Sequence, residues 1–536
     1  MGTTEEGSIR IEGSKRAWTE EAKIKDPEVS MHKVSPRQWM TMAVLVYVNL
    51  INYMDRLTIA GILEEVKQEF DANDARAGIL QTAFILSYML FAPLFGYLGD
   101  RYSRKYLMAA GVFLWSVLTL LGSLVSGNPS NHGKGWLHPD FLLFLGCRAM
   151  VGIGEASYST IAPTLISDMF VGDRRSKMLG LFYFAIPVGS GLGYIVGSET
   201  ARAFGNWQWG LRVTPGLGLL AVLLILLLVT EPPRGASEGH GKLEAGSYKD
   251  DLADLAANPT YILTTLGFTC VTFCTGALAW WGPIFIQRGL KTLPEGERPM
   301  QPSSVPFVFG LVTMLSGIVG VPLGMILSTR LRAIYPRADP IICGAGILIS
   351  ALFLTFGILF CDSNIVLALV FIFLGEVSLN LNWSIVADMV LYVVSPTCRG
   401  TAEALQILLS HALGDAGSPY LIGLLSDGIY FAMIPKIPCE EPIQSNKTLG
   451  ISDDGTGESM GMSGKLYSLD NGSNGCEYAR EAFASLQFSF FTSSGVEVLG
   501  GVLFLVGAIF IVRDRLACEK AAEEAEKSAG KLYELK

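Results

Sequence analysis

The chain has 536 residues, of which 50% are hydrophobic and only 17% charged, with a formal net charge of −9 and a mean hydropathy of +0.41. A chain this apolar is not an ordinary soluble enzyme; it belongs in a bilayer, where a crossing helix needs about 20 apolar residues. The acid sits largely in ends and loops, and no basic block with interleaved aromatics argues for nucleic acid.

Residues 1–36 are polar and mixed in charge, without the apolar core or small-residue cleavage site of a signal peptide, and are expected to form a cytoplasmic tail. About twelve apolar segments follow between Trp39 and Val512. The first carries Asp55 and Arg56 on the order of 24 Å from Trp39, deep enough to need partners unless they merely end the helix at the interface. The second ends in Gly96-Tyr97-Leu98-Gly99-Asp100-Arg101-Tyr102-Ser103-Arg104-Lys105. Glycines permit close helix approach, Asp100 can cap or pair, and the bases of so short a turn place it in the cytoplasm. This turn resembles the motif between the second and third helices of the major facilitator superfamily.

After a third span and a polar loop with His132 and His138 comes the most informative stretch, Cys147-Arg148-Ala149-Met150-Val151-Gly152-Ile153-Gly154-Glu155-Ala156-Ser157-Tyr158-Ser159. An arginine and a glutamate inside a hydrocarbon-length helix each cost about 2.5 to 3.5 kcal/mol on insertion scales. Arg148, Gly152, Glu155 and Ser159 share one helical face, so the stripe lines a cavity or fixes packing through a static charge pair. Asp168 and the basic Asp173–Lys177 run follow. The fifth span, rich in glycine around Pro187, suits backbone-to-backbone packing or bending. A sixth span closes at Glu231, so residues 37–231 form a first bundle and the charged residues 232–258 a cytoplasmic linker.

In the second half, residues 259–512, Trp280 and Trp281 are expected as interfacial anchors at the far end of the seventh span. Arg330 and Arg332 after the eighth span degrade the earlier basic turn. Gly375-Glu376-Val377-Ser378 with Asp388 in the tenth span repeats Gly154-Glu155-Ala156-Ser157 with Asp168. Gly417-Ser418-Pro419-Tyr420-Leu421-Ile422-Gly423 in the eleventh repeats Gly191-Leu192-Gly193-Tyr194-Ile195-Val196-Gly197 in the fifth. Two matched pairs in order imply two related six-helix bundles in one all-α membrane fold. The eleventh span also holds Glu403, His411 and Asp415. A polar segment, 427–480, is expected as a luminal loop with glycosylation sites Asn446 and Asn471; Cys439 and Cys476 are expected to pair there, the other seven cysteines falling in spans or cytoplasmic segments. Residues 513–536 read as a charged cytoplasmic tail.

The runs Asn52-Tyr53-Met54-Asp55-Arg56, Arg148 to Pro163, Phe182-Tyr183-Phe184-Ala185-Ile186-Pro187 to Tyr194, and Ser410-His411-Ala412-Leu413-Gly414-Asp415 to Gly423 are similar to the spinster family of lipid transporters. The resemblance implies alternating access for a single-chain charged lipid: lysophospholipid or sphingolipid leaving late endosomes or lysosomes with protons, or sphingosine-1-phosphate leaving across the plasma membrane. On that reading Arg56, Arg148 and Tyr183 meet the headgroup and Asp55 holds an arginine when the site is empty. Glu155, His411, Asp415 and Glu376 are the proton-coupling candidates, and Asp100, Arg101 and Arg104 a cytoplasmic latch. A monomer without cofactor or metal is expected. A non-transporting scaffold or sensor is the competing reading, which the retained buried charges disfavour.

Overall fold

A computed structural model describes residues 35–131, 133–170, 172–232, 248–395, 398–433 and 473–534. Ten of its helices are long and apolar enough to cross a membrane. Pro36–Gly61, made too polar by its internal charges, and an interrupted helix beginning at Arg399 complete twelve spans.

Local chemistry starts these helices where the sequence allows. Ser35 and Gln38 form a reciprocal capping box ahead of Pro36, and Asn73, Asn258 and Asn364 accept from backbone amides two or three residues inside spans 2 (Asp74–Arg101), 7 (Pro259–Thr292) and 10 (Ile365–Asn380, continued by Asn382–Val393). The Nδ1 of His138 caps span 4 (Pro139–Met169) in the same way. Span 5 (Gly172–Phe204) ends at Gly205, whose φ of +65° a side chain would resist.

Within the first half, span 1 packs on spans 5 and 6 (Gln208–Leu228), and span 4 on spans 2 and 3 (Arg104–Gly122). A Cβ on Gly154 would stand 2.7 Å from the carbonyl oxygen of Gly111 and 2.8 Å from the backbone nitrogen of Trp115, so spans 3 and 4 touch backbone to backbone. The second half repeats the scheme with spans 7, 8 (Val305–Arg332), 9 (Ala338–Phe360), 10, 11 and 12 (Ser473–Glu534). The halves meet where span 2 lies on span 11 and span 5 on span 8.

Several expected boundaries move. Span 11 continues to Met433 and carries Asp427, while the helix of span 12 begins at Ser473 and continues through Glu534, drawing in residues assigned to the 427–480 loop and the 513–536 tail. The 232–258 linker contains a short helix, Tyr248–Ala256, whose Leu255 is buried. Trp280 and Trp281 are not interfacial: both are fully buried in the core, and the Trp281 indole donates to the Pro419 carbonyl at 2.9 Å. Span 11 thus supplies the acceptor that the Trp281 N–H needs, whereas the Trp280 N–H finds none among the described residues.

Candidate functional site

Asp55 and Arg56 are consecutive, so about 100° of helix rotation separates their side chains. Asp55 turns into the first bundle, where Thr119 of span 3 donates to it at 3.3 Å and Thr214 of span 6 donates as well. Arg148 of span 4 stands 3.6 Å away. Both are buried, and no hydrogen-bond acceptor engages the Nε or either Nη of Arg148 among the described residues. Its guanidinium lies 4.8 Å from the Phe84 ring centroid.

Arg56 turns the other way and pairs with Glu155 at 3.2 Å, one guanidinium nitrogen donating to the carboxylate. With its amide oriented to donate, Asn52 adds bonds of 3.1 and 3.3 Å to the same carboxylate. The rings of Tyr53, Phe84 and Tyr88 surround the guanidinium at 4.8, 5.1 and 5.4 Å. The Nε of Arg56 has no acceptor among the described residues. Two cations are thus held side by side, each with one carboxylate and each with N–H donors unused. Ser159, expected on this stripe, donates to the Glu155 carbonyl at 2.9 Å and so closes the helix on itself.

The second half supplies the facing wall. The His411 Nδ1 lies 2.9 and 3.0 Å from the two Asp415 oxygens, and Asp415 is within electrostatic reach of Arg56 across the gap. Glu376, the repeat of Glu155, has no cation beside it among the described residues; Ser316 and Thr313 of span 8 donate to it at 2.7 and 3.2 Å. Tyr183 of span 5 is half exposed, stacks edge-on to Phe182, and senses Tyr88 and Glu403 electrostatically.

At the end carrying the basic turns, here the basic end, Arg104 pairs with Asp168, while Ser103 Oγ and the Arg104 amide donate to Glu231 at 2.7 and 3.0 Å. Arg101 lies over the Tyr97 ring rather than in this cluster, and the Asp100 side chain is outside what the structure describes. The second half matches it with Arg332, 2.5 Å from Asp388 and 3.2 Å from Asp339. Both clusters tie helices within one half. Asn446, Asn471 and Cys439 fall outside the described residues, as does the Cys476 side chain.

Sequence reasoning missed the far-end lock. Asp74 at the start of span 2 receives Lys67, Ser426 at 2.8 Å and both terminal nitrogens of Arg288 at 2.7 and 2.9 Å, while Asp427 accepts from the amides of Asp74 and Ala75 at 3.1 and 2.8 Å. Lys291 reaches Glu64 at 3.8 Å, and Tyr194 donates to the Ala279 carbonyl at 2.5 Å. All of these except the Lys67 contact cross between the halves, and together they close the far end over the central ions. Glu497, fully buried in the second half with one oxygen on Ser350 at 2.9 Å, was missed as well.

The sequence profile of the Major Facilitator Superfamily matches residues 45–419. Protein spinster of Drosophila melanogaster is 51% identical over 510 residues, covering 92% of this chain and 80% of its own length. Protein spinster homolog 1 of Homo sapiens is 48% identical over 487 residues, covering 89% and 82%. In fold, the chain is similar to a bacterial homologue of the human lysosomal transporter spinster solved in an inward-facing, unoccupied conformation, with a TM-score of 0.72 at 20% identity over 90% of this chain and 99% of that one. With twelve spans in two related halves around buried ions, and with identity of this level over most of its length, the chain is a membrane transporter, not an enzyme, and belongs to the spinster family of the major facilitator superfamily.

Proposed function

We propose that this transporter carries a single-chain lipid with an anionic or zwitterionic phosphate headgroup, a lysophospholipid foremost, out of an acidic late endosomal or lysosomal lumen by alternating access. The observation that carries the reading is the pair of guanidinium groups, Arg56 and Arg148, whose unused donors sit among aromatic rings in the first half. Guanidinium offers a planar charged fork matched to phosphate oxygens, and the rings give an acyl or glycerol portion an apolar surface. A headgroup phosphate takes up these donors and competes with Glu155 for Arg56. Glu155, released, then takes a proton, which links cargo to the proton gradient; His411 and Asp415 face Arg56 across the gap and complete that relay, with Glu376 as a further carboxyl. Tyr183 borders the headgroup, and the far end is the lumen. That the bacterial structure is described as a homologue of the human lysosomal transporter spinster supports the organelle.

The test is uptake of radiolabelled lysophosphatidylcholine and sphingosine-1-phosphate into proteoliposomes, with and without a proton gradient. Gradient-stimulated lysophosphatidylcholine flux that Arg56→Ala abolishes is the expected result. Flux confined to sphingosine-1-phosphate and indifferent to the gradient moves the assignment to export at the cell surface. No flux of either lipid sinks the proposal.

A further inference from the structure

Span 11 is not one α-helix. Arg399–Ser410 is followed by a π-helical turn, His411–Asp415, before helix resumes at Gly417, and the Ala416 amide donates to the His411 carbonyl at 2.9 Å. A π turn accommodates one residue more than the α-helix, at some cost in hydrogen-bond geometry, and is retained where it aims a side chain. The residues at its two ends are His411 and Asp415 themselves.

Two hydroxyls from other helices bracket this turn. Thr272 of span 7 donates to the carbonyl of Ser410 at 2.7 Å, one residue before it. Thr82 of span 2 donates to the carbonyl of Ala416 at 2.6 Å, one residue after it. Thr272 is buried and belongs to the same half as span 11, whereas Thr82 belongs to the opposite half. The turn also rests directly on span 7. A Cβ on Gly414 would run into the Thr272 side chain and stand 2.9 Å from the Phe273 nitrogen, and a Cβ on Gly276 would stand 2.6 Å from the Asp415 Cα. Backbone this close to backbone fixes the turn's register, and the register fixes where His411 and Asp415 point.

We propose that Thr272 and Thr82 are positioning residues for the His411–Asp415 pair: Thr272 holds the turn in register throughout the transport cycle, and Thr82 adds its bond only while the far end is closed. Opening of the far end then breaks the Thr82 bond and relaxes the pair, which ties access to the lumen to the proton state of the site. The inference rests on the assignment of His411 and Asp415 to proton coupling. The groups facing the pair are Arg56 of span 1, with Glu155 of span 4 behind it, and Tyr88 of span 2. Span 7 contributes no charged side chain at this level among the described residues, its Cys274 thiol turning to the Ser493 carbonyl of span 12 at 3.3 Å and its charges Arg288 and Lys291 lying near its far end. On span 11 itself the nearest other acid is Glu403.

The experiment uses the full chain, spin-labelled at the far ends of spans 2 and 11. Electron–electron distances are read from pH 4.5 to 7.5 without lipid, and lysophosphatidylcholine uptake is read over the same range. Thr272→Val is expected to shift the midpoint of the pH-dependent distance change by roughly half to one unit, the size set by one lost hydrogen bond, because the turn that aims His411 and Asp415 loses its register. Thr272→Ser restores the wild-type midpoint. Thr82→Val leaves the midpoint in place and raises the open population several-fold, while Thr275→Val, whose hydroxyl serves only its own helix at 2.9 Å, changes neither. If Thr272→Val does not fold, the Thr272→Ala and Thr82→Val curves decide. Curves that superimpose on wild type, or a wild-type distance indifferent to pH, overturn the proposal. A shifted midpoint in a protein that takes up no lipid leaves the positioning role standing and removes the lipid reading; lipid uptake with an unmoved midpoint does the reverse.

Discussion

Asp55 and Arg148 form an ion pair at 3.6 Å in the interior of the first bundle, and the pair is lopsided. The carboxylate receives two threonine hydroxyls, while the guanidinium has no hydrogen-bond acceptor among the described residues. Removing one member of a buried pair strands the other charge at a cost of about 3–5 kcal/mol, whereas removing both is often close to neutral. Arg148→Gln is therefore expected to lower the melting temperature in detergent markedly, and Asp55→Asn combined with Arg148→Gln to recover most of that loss. Flux stays absent in both. A double variant that melts like the single one contradicts the pairing, and one that regains flux contradicts a headgroup role for Arg148.

The neighbouring pair behaves differently because Glu155 has a neutral partner in Asn52 besides Arg56. Glu155→Gln keeps the shape and an accepting oxygen for Arg56 but removes the charge facing it, so the protein folds with a loss of about 1–3 kcal/mol, smaller than for Arg148→Gln. Proton dependence is what disappears: flux becomes flat across pH 5 to 7 in a proteoliposome assay. Retention of the wild-type pH profile by Glu155→Gln removes this residue from the coupling scheme.

The order in which these features were legible follows from energetics. Asp55, Arg56, Arg148 and Glu155 stood out because an ion in hydrocarbon is costly enough to demand a reason. Which arginine meets which carboxylate did not, since it depends on adjacent residues of span 1 facing different ways, with Asp55 toward spans 3, 4 and 6 and Arg56 toward Glu155. Asp74 and Arg288 were hidden for the opposite reason: a charge near a helix end is ordinary, and only the crossing of the two halves turns these into a lock. Trp281 looked like an interfacial anchor because nothing local reveals that Pro419, 138 residues away, accepts its N–H. The π turn at His411–Asp415 likewise has no periodic signature. The repeat of spans 4 and 5 in spans 10 and 11 was visible, since close helix packing writes small residues at fixed spacing.

The Glu64–Lys291 contact of the far-end lock is expected to resist acid. Burial raises the proton affinity of Glu64, which lies in the short helix Leu63–Glu69 outside the spans, but Lys67, Lys291 and Arg288 outweigh it and hold the carboxyl below its usual range. A lowered carboxylate contributes stability that is present above its unfolded value, about 4.3, and is lost only as pH falls through the lower folded value. Glu64 thus remains charged at pH 5. Glu64→Gln is expected to raise the far-end-open population by the same factor at pH 7 and pH 5, read by spin-label distances. An effect present at pH 7 and gone at pH 5 contradicts this sign and makes Glu64 a pH switch.

Closure also requires bare backbone where spans 5 and 8 cross. A Cβ on Gly310 would stand 2.6 Å from the Gly191 carbonyl oxygen and 3.0 Å from the Ile195 Cγ1, and the clash with a helix carbonyl cannot be relieved by a change of rotamer. Overpacking of this kind costs about 1–3 kcal/mol, and spans 5 and 8 belong to different halves, so separating the halves relieves it without unfolding either. Gly310→Val is therefore expected to move the population toward the far-end-open state by roughly five- to a hundred-fold, since about 1.4 kcal/mol is tenfold, with little change in melting temperature. Gly216→Val is the matched control, because a Cβ there meets nothing within 4 Å. Unfolding of Gly310→Val would place the cost inside one bundle; a distance distribution identical to that of Gly216→Val would mean that the crossing of spans 5 and 8 does not limit closure.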